Sequence, residues 1–296
     1  MPTERARTRR ADPEERTLAR ALREYARGVT GGLLFSLPLL YTMEVWWAGF
    51  IARPLRLLVY LLAGFLLLFG YNRYAGLRED ASWADLAFEA VEELGLGLLV
   101  SVCILWLIGQ IDSGMPVFEI VGKVVVEGVP AAIGVSVGAA QFGGDGNGGK
   151  GSQGMKGRED KENPGLPGHV ILGLCGAVLF ASNVAPTEEI LQIAIESTPW
   201  RLLGLAVLSL VLGGVVLFYS DFTGSKPLRP GDRHGSGKVL SLSVISYAVA
   251  LAASAFILWF FGRFEGVSLA VGVAQTVTLG VASSLGASAG RLLLLS

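Results

Sequence analysis

Hydrophobic runs of about 20 residues, each long enough to cross roughly 30 Å of hydrocarbon, recur along the whole chain. They lie at residues 29–50, 54–71, 87–109, 116–140, 168–193, 200–219, 239–262 and 266–290, separated by segments rich in Gly, Pro and charge. Inside lipid every backbone polar group needs an internal partner, so a chain crosses only as helices or as a closed barrel. The runs lack the period-two alternation of barrel strands. The expected fold is therefore all-α, a polytopic membrane helix bundle of about eight transmembrane helices, with the lipid bilayer as its first partner. Composition agrees, because 52% of the 296 residues are hydrophobic and only 17% charged, against about 25% charged in a soluble domain. The third and fourth runs carry several charges and are the weakest of the eight.

A net charge of -1, with no basic run interleaved with aromatics, argues against nucleic acid as a partner. The distribution of the cations says more than their sum. With eight spans and the N-terminus inside, 19 of the 24 Lys and Arg fall on the cytoplasmic side: eight in residues 1–27, two in 72–86, four in 141–167, four in 221–238, and Arg291. Arg53, Arg56, Arg201 and Arg263 lie on the other side, and Lys123 lies within a span. That asymmetry follows the positive-inside rule and places both termini in the cytoplasm. The basic leader, residues 1–27, is too long and polar for a cleavable signal; its Arg and Glu at helical spacing suggest a surface helix feeding into the first span.

The chain also resembles itself. A shift of 145 residues aligns GGLLFSLPLLYTMEVWW (31–47) with GAVLFASNVAPTEEILQ (176–192), and PLRLL with PWRLL. Nine of the 28 positions from 31 to 58 are then identical, among them Gly31/Gly176, Thr42/Thr187, Glu44/Glu189, Pro54/Pro199 and Arg56/Arg201. Further on, ILWLIGQID (104–112) parallels ILWFFGRFE (257–265), and a weaker match pairs Glu127 with Gln275 and Gly138 with Gly286. The expected organisation is a cytoplasmic leader (1–27), a first four-helix repeat (28–140), a flexible cytoplasmic Gly-rich loop (141–167) and a second four-helix repeat (168–296). An even number of spans per repeat gives both copies one orientation, the parallel arrangement. The loop's GGDGNGGKGS is not a phosphate-binding loop, because Gly151 stands where Ser or Thr must reach Mg²⁺.

Candidate residues come from polar groups inside greasy runs. In NVAPTEEI (183–190), Asn183, Pro186, Thr187, Glu188 and Glu189 interrupt an apolar stretch. The duplication sets Glu189 opposite Glu44, each two residues after a Thr, Thr187 or Thr42, and each in a helix expected to kink at a proline, Pro186 or Pro38. A carboxylate in hydrocarbon costs roughly 2.5 to 3.5 kcal/mol on insertion scales, so such residues usually have a partner or water. Glu44 and Glu189 either line a cavity at the seam between repeats or reach the outer interface; Glu188 points about 100° away from its neighbour on a helix. Glu119, Lys123 and Glu127, at steps of four, share one helix face, as a salt-bridge stripe or as the wall of a polar path, with Gln275 and Thr276 in the second copy. Glu89, Glu92 and Glu93 read as solvated acids at a helix start. Trp46, Trp47 and Trp200 read as interfacial anchors. Cys103 and Cys175 lie inside spans and His169 and His234 are isolated, so no catalytic residue, no metal site and no cofactor is assigned. The chain is read as not an enzyme.

Through PLLYTMEVWW and NVAPTEEI, the sequence resembles a family of bacterial integral membrane proteins defined only as a domain of unknown function, over roughly residues 20–295. The resemblance implies a multi-pass topology and a bacterial cell (inner) membrane location, and it transfers no activity. The leading functional expectation is a secondary transporter or channel-like protein moving a proton, cation or small solute, with Glu44 and Glu189 as binding groups and Glu127 and Lys123 tuning them. The alternative is a non-transporting membrane scaffold or regulatory subunit whose leader and loop engage cytosolic partners. A homo-oligomer stays open.

Overall fold

The computed structural model describes residues 13–75, 82–141, 165–224 and 233–295. All elements among them are helices: α1 (Pro13–Leu40), α2 (Met43–Ile51), α3 (Pro54–Ala75), α4 (Trp83–Leu107), α5 (Val117–Gln141), α6 (Gly165–Val184), α7 (Glu188–Glu196), α8 (Pro199–Gly224), α9 (Arg233–Phe260) and α10 (Leu269–Leu295). Residues 1–12 of the leader and 142–164 of the Gly-rich loop lie outside the described residues. The rest of the leader is helical and runs into the first apolar stretch without a break.

Among the described residues seven helices are long and apolar enough to cross a membrane, and eight crossings result if the bent pair α1–α2 counts as one. Local chemistry sets the ends. Ser82 starts α4 with a reciprocal capping box, its hydroxyl accepting from the Asp85 amide while the Asp85 carboxylate accepts from the Ser82 amide. Pro54 and Pro199 open α3 and α8, where a missing N–H costs nothing. The helices α4 and α9 end alike. Gly109 and Gly262 take φ of +75° and +72°, and the next amide reaches back to close the cap, Gln110 N to Leu105 O at 2.8 Å and Arg263 N to Leu258 O at 2.9 Å.

The kinked spans expected at 29–50 and 168–193 are instead each two helices. The helix α1 stops at Leu40 and α2 leaves at 87° to it; α6 stops at Val184 and α7 starts at Glu188. Pro38 sits inside α1, two residues from its end, whereas Pro186 stands in the break itself and not in a helix. A gap of two or three residues, with proline withholding an amide and Thr in extended geometry at the next helix start, turns the chain where a kink alone would have carried it onward.

The helix α5 is the axis of the first half: 89% of its most apolar stretch is buried. Each helix packed on it offers a glycine. A Cβ on Gly31 of α1 would stand 2.4 Å from the Gly138 Cα, one on Gly49 of α2 would stand 2.6 Å from Lys123 backbone atoms, one on Gly64 of α3 would meet Val129 at 2.6 Å, and one on Gly97 of α4 would meet Ala132 at 2.4 Å. Backbones can approach this closely only without side chains, the usual basis of helix association in lipid. In the second half α6 crosses α10 in the same way, with Gly176 against Gly286 and Gly290. The halves share one core, which includes Leu39, Tyr60, Leu68, Leu179, Ile257 and Leu279. Tyr60 of α3 stacks on Phe260 of α9 with ring centroids 3.9 Å apart.

Candidate functional site

The short helix α2 divides the polar residues of the first half into two groups. Glu44, Trp47, Ala48 and Ile51 recur at steps of three and four and face a pocket of about 380 Å³. Val45 and Gly49 are buried on its other side, against α5. The pocket lies between the halves: α2, Ala52 and Arg56 form one wall, and Pro186, Glu188, the end of α9 and the turn after it form the other.

Three carboxylates and two guanidiniums line this pocket: Glu44, Glu188, Glu265, Arg56 and Arg263. Two ion pairs use four of them. Arg56 of α3 pairs across the seam with Glu265, and its guanidinium lies 5.6 Å from the Trp259 ring centroid. Arg263 pairs with Glu188 at 2.8 Å. Glu44, half-buried, is the one member of the five with no hydrogen-bond or ion-pair partner among the described residues.

Glu189 is not in that pocket. The start of α7 gives the seam to Glu188 and turns Glu189 outward, fully exposed. Its carboxyl is held below the ordinary glutamate range by the amide at its own helix start, then by the nearby Thr187 hydroxyl, and more distantly by Arg263. The structure therefore brings Glu44 together with Glu188, where the alignment had set it opposite Glu189. Thr42 and Thr187 turn their hydroxyls back on the preceding helix, donating to Pro38 O at 2.6 Å and Val184 O at 2.9 Å. Asn183 Nδ2 donates to Leu179 O at 2.6 Å and reaches Phe35 O of α1 at 3.4 Å, a thread between the halves. These three residues are engaged in holding the breaks.

Behind α2 the stripe on α5 separates into a pair and a single residue. Lys123, 7% exposed, pairs with Glu119 at 2.8 Å and donates to Gln110 O at 3.0 Å. Glu127, one turn deeper, is 0% exposed, and neither of its carboxyl oxygens has a hydrogen-bond partner. The Trp46 side chain lies beside it, yet the indole N–H is directed to Leu40 O at 3.2 Å. The expected ladder of three is thus broken at its inner rung.

Gln275, the counterpart of Glu127 on α10, is also 0% exposed. Its Nε2 donates to Arg263 O at 3.2 Å, the carbonyl that corresponds to Gln110 O in the parallel ILWLIG and ILWFFG turns. Two different donors, Lys123 and Gln275, thus cap equivalent carbonyls. Thr276 donates to Gly272 O at 2.8 Å within its own helix. At the other end of the bundle Glu93 accepts from Asn72 Nδ2 at 2.8 Å, so it is not the free capping acid expected there.

Arg56, Arg263 and Glu265 did not stand out among the candidates. Their signal was present in the sequence, since Arg56 and Arg263 are two of only four cations at the ends of the apolar runs away from the basic segments, and the two ILW segments each close on an acid.

No curated protein and no solved structure matches the chain. Residues 24–294 match a family model described as "Putative integral membrane protein (DUF2391)". With ten helices among the described residues, most of them long and apolar, and a family match over nearly their whole extent, the chain belongs to the DUF2391 family of integral membrane proteins.

Proposed function

We propose that the protein is a secondary transporter or channel-like protein of the bacterial inner membrane, in which two parallel copies of one unit hold a polar route between them. In this reading the pocket containing Glu44 is the entrance, at the end of the bundle away from the cytoplasmic termini. Glu127 is an inner station for a proton, a cation or the polar part of a small solute, and Lys123 and Gln275 fix the turns around it. The chain moves its solute and does no covalent chemistry. One observation carries the reading: a carboxyl with no partner is buried in the middle of a membrane helix, at a cost of several kcal/mol if charged, directly behind the short helix that walls a carboxylate-bearing pocket. Stability alone gives no reason to keep it. Passage between the two requires α2 to swing, and the two-residue elbow at Tyr41 and Thr42 is the place for a hinge.

The test is flux in reconstituted vesicles under imposed proton, sodium and potassium gradients. The unsubstituted protein is expected to conduct at least one of them, and Glu44→Gln with Glu127→Gln to abolish it. Flux unchanged in the double variant would remove both residues from the route. Absence of flux in the unsubstituted protein under every gradient would sink the transport reading.

A further inference from the structure

We infer that the pocket between the halves binds a small organic ammonium group, with Glu44 as its counter-charge. This rests on the reading above only for the role of the pocket as an entrance; the binding chemistry stands on the lining residues.

The charge balance excludes an anion. Both guanidiniums are already committed, Arg56 to Glu265 and Arg263 to Glu188, and the remaining lining charge is the Glu44 carboxylate. A neutral solute leaves that carboxylate uncompensated once the pocket closes over it, a loss of the kind that makes unpaired buried charges costly. Calcium asks for six to eight oxygen ligands, and magnesium is held by one or two carboxylates together with its own waters and substrate phosphates; a single free carboxylate makes a weak site for either. No grouping of three or more His, Cys, Asp or Glu suited to a metal occurs among the described residues.

An ammonium needs less. One carboxylate satisfies its charge, and aromatic faces stabilise it further. Trp47 and Phe261 line the same pocket as sources of such faces, whereas Phe260, also in the lining, is 2% exposed and already stacked on Tyr60. The volume, about 380 Å³, is at the lower end for small-molecule sites and suits a monoamine with a compact apolar body. Two sources present such a group, a free amine and the ethanolamine headgroup of a phospholipid.

The probe is phenethylammonium chloride, titrated into the full-length protein in amine-free detergent and followed by tryptophan fluorescence. Saturable binding is expected, with 2-phenylethanol, the neutral analogue, at least about tenfold weaker. Glu44→Gln should weaken the probe by at least about tenfold, Glu44→Asp should retain part of the affinity, and Glu189→Gln, outside the pocket, should leave it unchanged. Repeating the titration in nanodiscs of phosphatidylglycerol with and without phosphatidylethanolamine separates the sources. Competition by the ethanolamine lipid assigns the site to a headgroup, and its absence assigns it to a free amine. Equal binding of the neutral analogue, full affinity in Glu44→Gln, or no saturable binding of the probe would overturn the inference. No gradient is involved, so binding without flux defeats the transport reading alone, and flux without binding defeats this inference alone.

Discussion

The helices α5 and α10 hold equivalent places, each at the centre of its half, and they reach that place by different means. Four neighbours each press a glycine against α5, and 89% of its most apolar stretch is buried. Only 44% of the corresponding stretch of α10 is buried, and beside its glycine crossing with α6 it makes contacts through serine. Ser283 meets Ser254 of α9 at 2.7 Å and also reaches Leu279 O, while Ser284 turns to Val281 O. Polarity is spread along α10 in neutral groups, some paired and others, Thr278 and Ser288, buried without a hydrogen-bond partner, whereas on α5 buried charge is concentrated in Lys123, which is paired, and Glu127, which is not. The unpartnered carboxyl thus lies in the more deeply buried of the two central helices.

The largest effects are expected at the glycine crossings found in both halves. Gly31→Ala and Gly176→Ala would place a Cβ 2.4 Å and 2.1 Å from partner backbone atoms, which no side-chain movement relieves. Each is expected to cost about 3 kcal/mol or more, measured by unfolding in detergent. If Gly176→Ala is tolerated and Gly31→Ala is not, the second crossing is not equivalent to the first. A reciprocal exchange comes next in size. Gln275→Glu should destabilise by about 3 kcal/mol, because it puts a carboxyl where a donor to Arg263 O had been. Glu127→Gln should stabilise by about 1 kcal/mol, since no hydrogen bond is lost. Like signs for the two would show that the environments of Glu127 and Gln275 do not differ as their contacts indicate.

The smallest effect sharpens the contrast between Glu44 and its aligned counterpart. The Glu189 carboxyl is held below its ordinary value of 4.5, so its contribution to stability is present above that value and is lost as pH falls through the lowered one. Glu189→Gln should therefore lower the melting temperature slightly near neutral pH and make no difference once the pH lies below the lowered value. An effect of equal size at both pH values would mean that the side chain acts through something other than its charge.

The spans were legible in the sequence because length and apolarity alone select membrane helices; the expected run at 54–71 and the helix Pro54–Ala75 share their start. The breaks were only half legible. Proline and threonine marked the places, but whether a chain kinks or turns by 87° depends on what the next helix packs against, and for Gly49 of α2 that is Gly122 and Lys123 of α5, more than 70 residues away. The choice of Glu188 over Glu189 was illegible for a similar reason. A gapless alignment compares the halves position by position, and α2 and α7 do start at aligned residues, Met43 and Glu188; the pocket lies between the halves and takes Met43 and Glu44 from one helix but Glu188 alone of that pair from the other.

The stack of Tyr60 on Phe260 also has a consequence for how the protein is made. The two rings are 200 residues apart in the chain, so at roughly 5 to 20 residues per second Tyr60 emerges from the ribosome about 10 to 40 s before its partner. Throughout that interval the face of α3 that will become core is turned to lipid or to whatever accompanies the nascent chain. The first half of the chain thus enters the bilayer as an unfinished surface, and synthesis of the second half completes it.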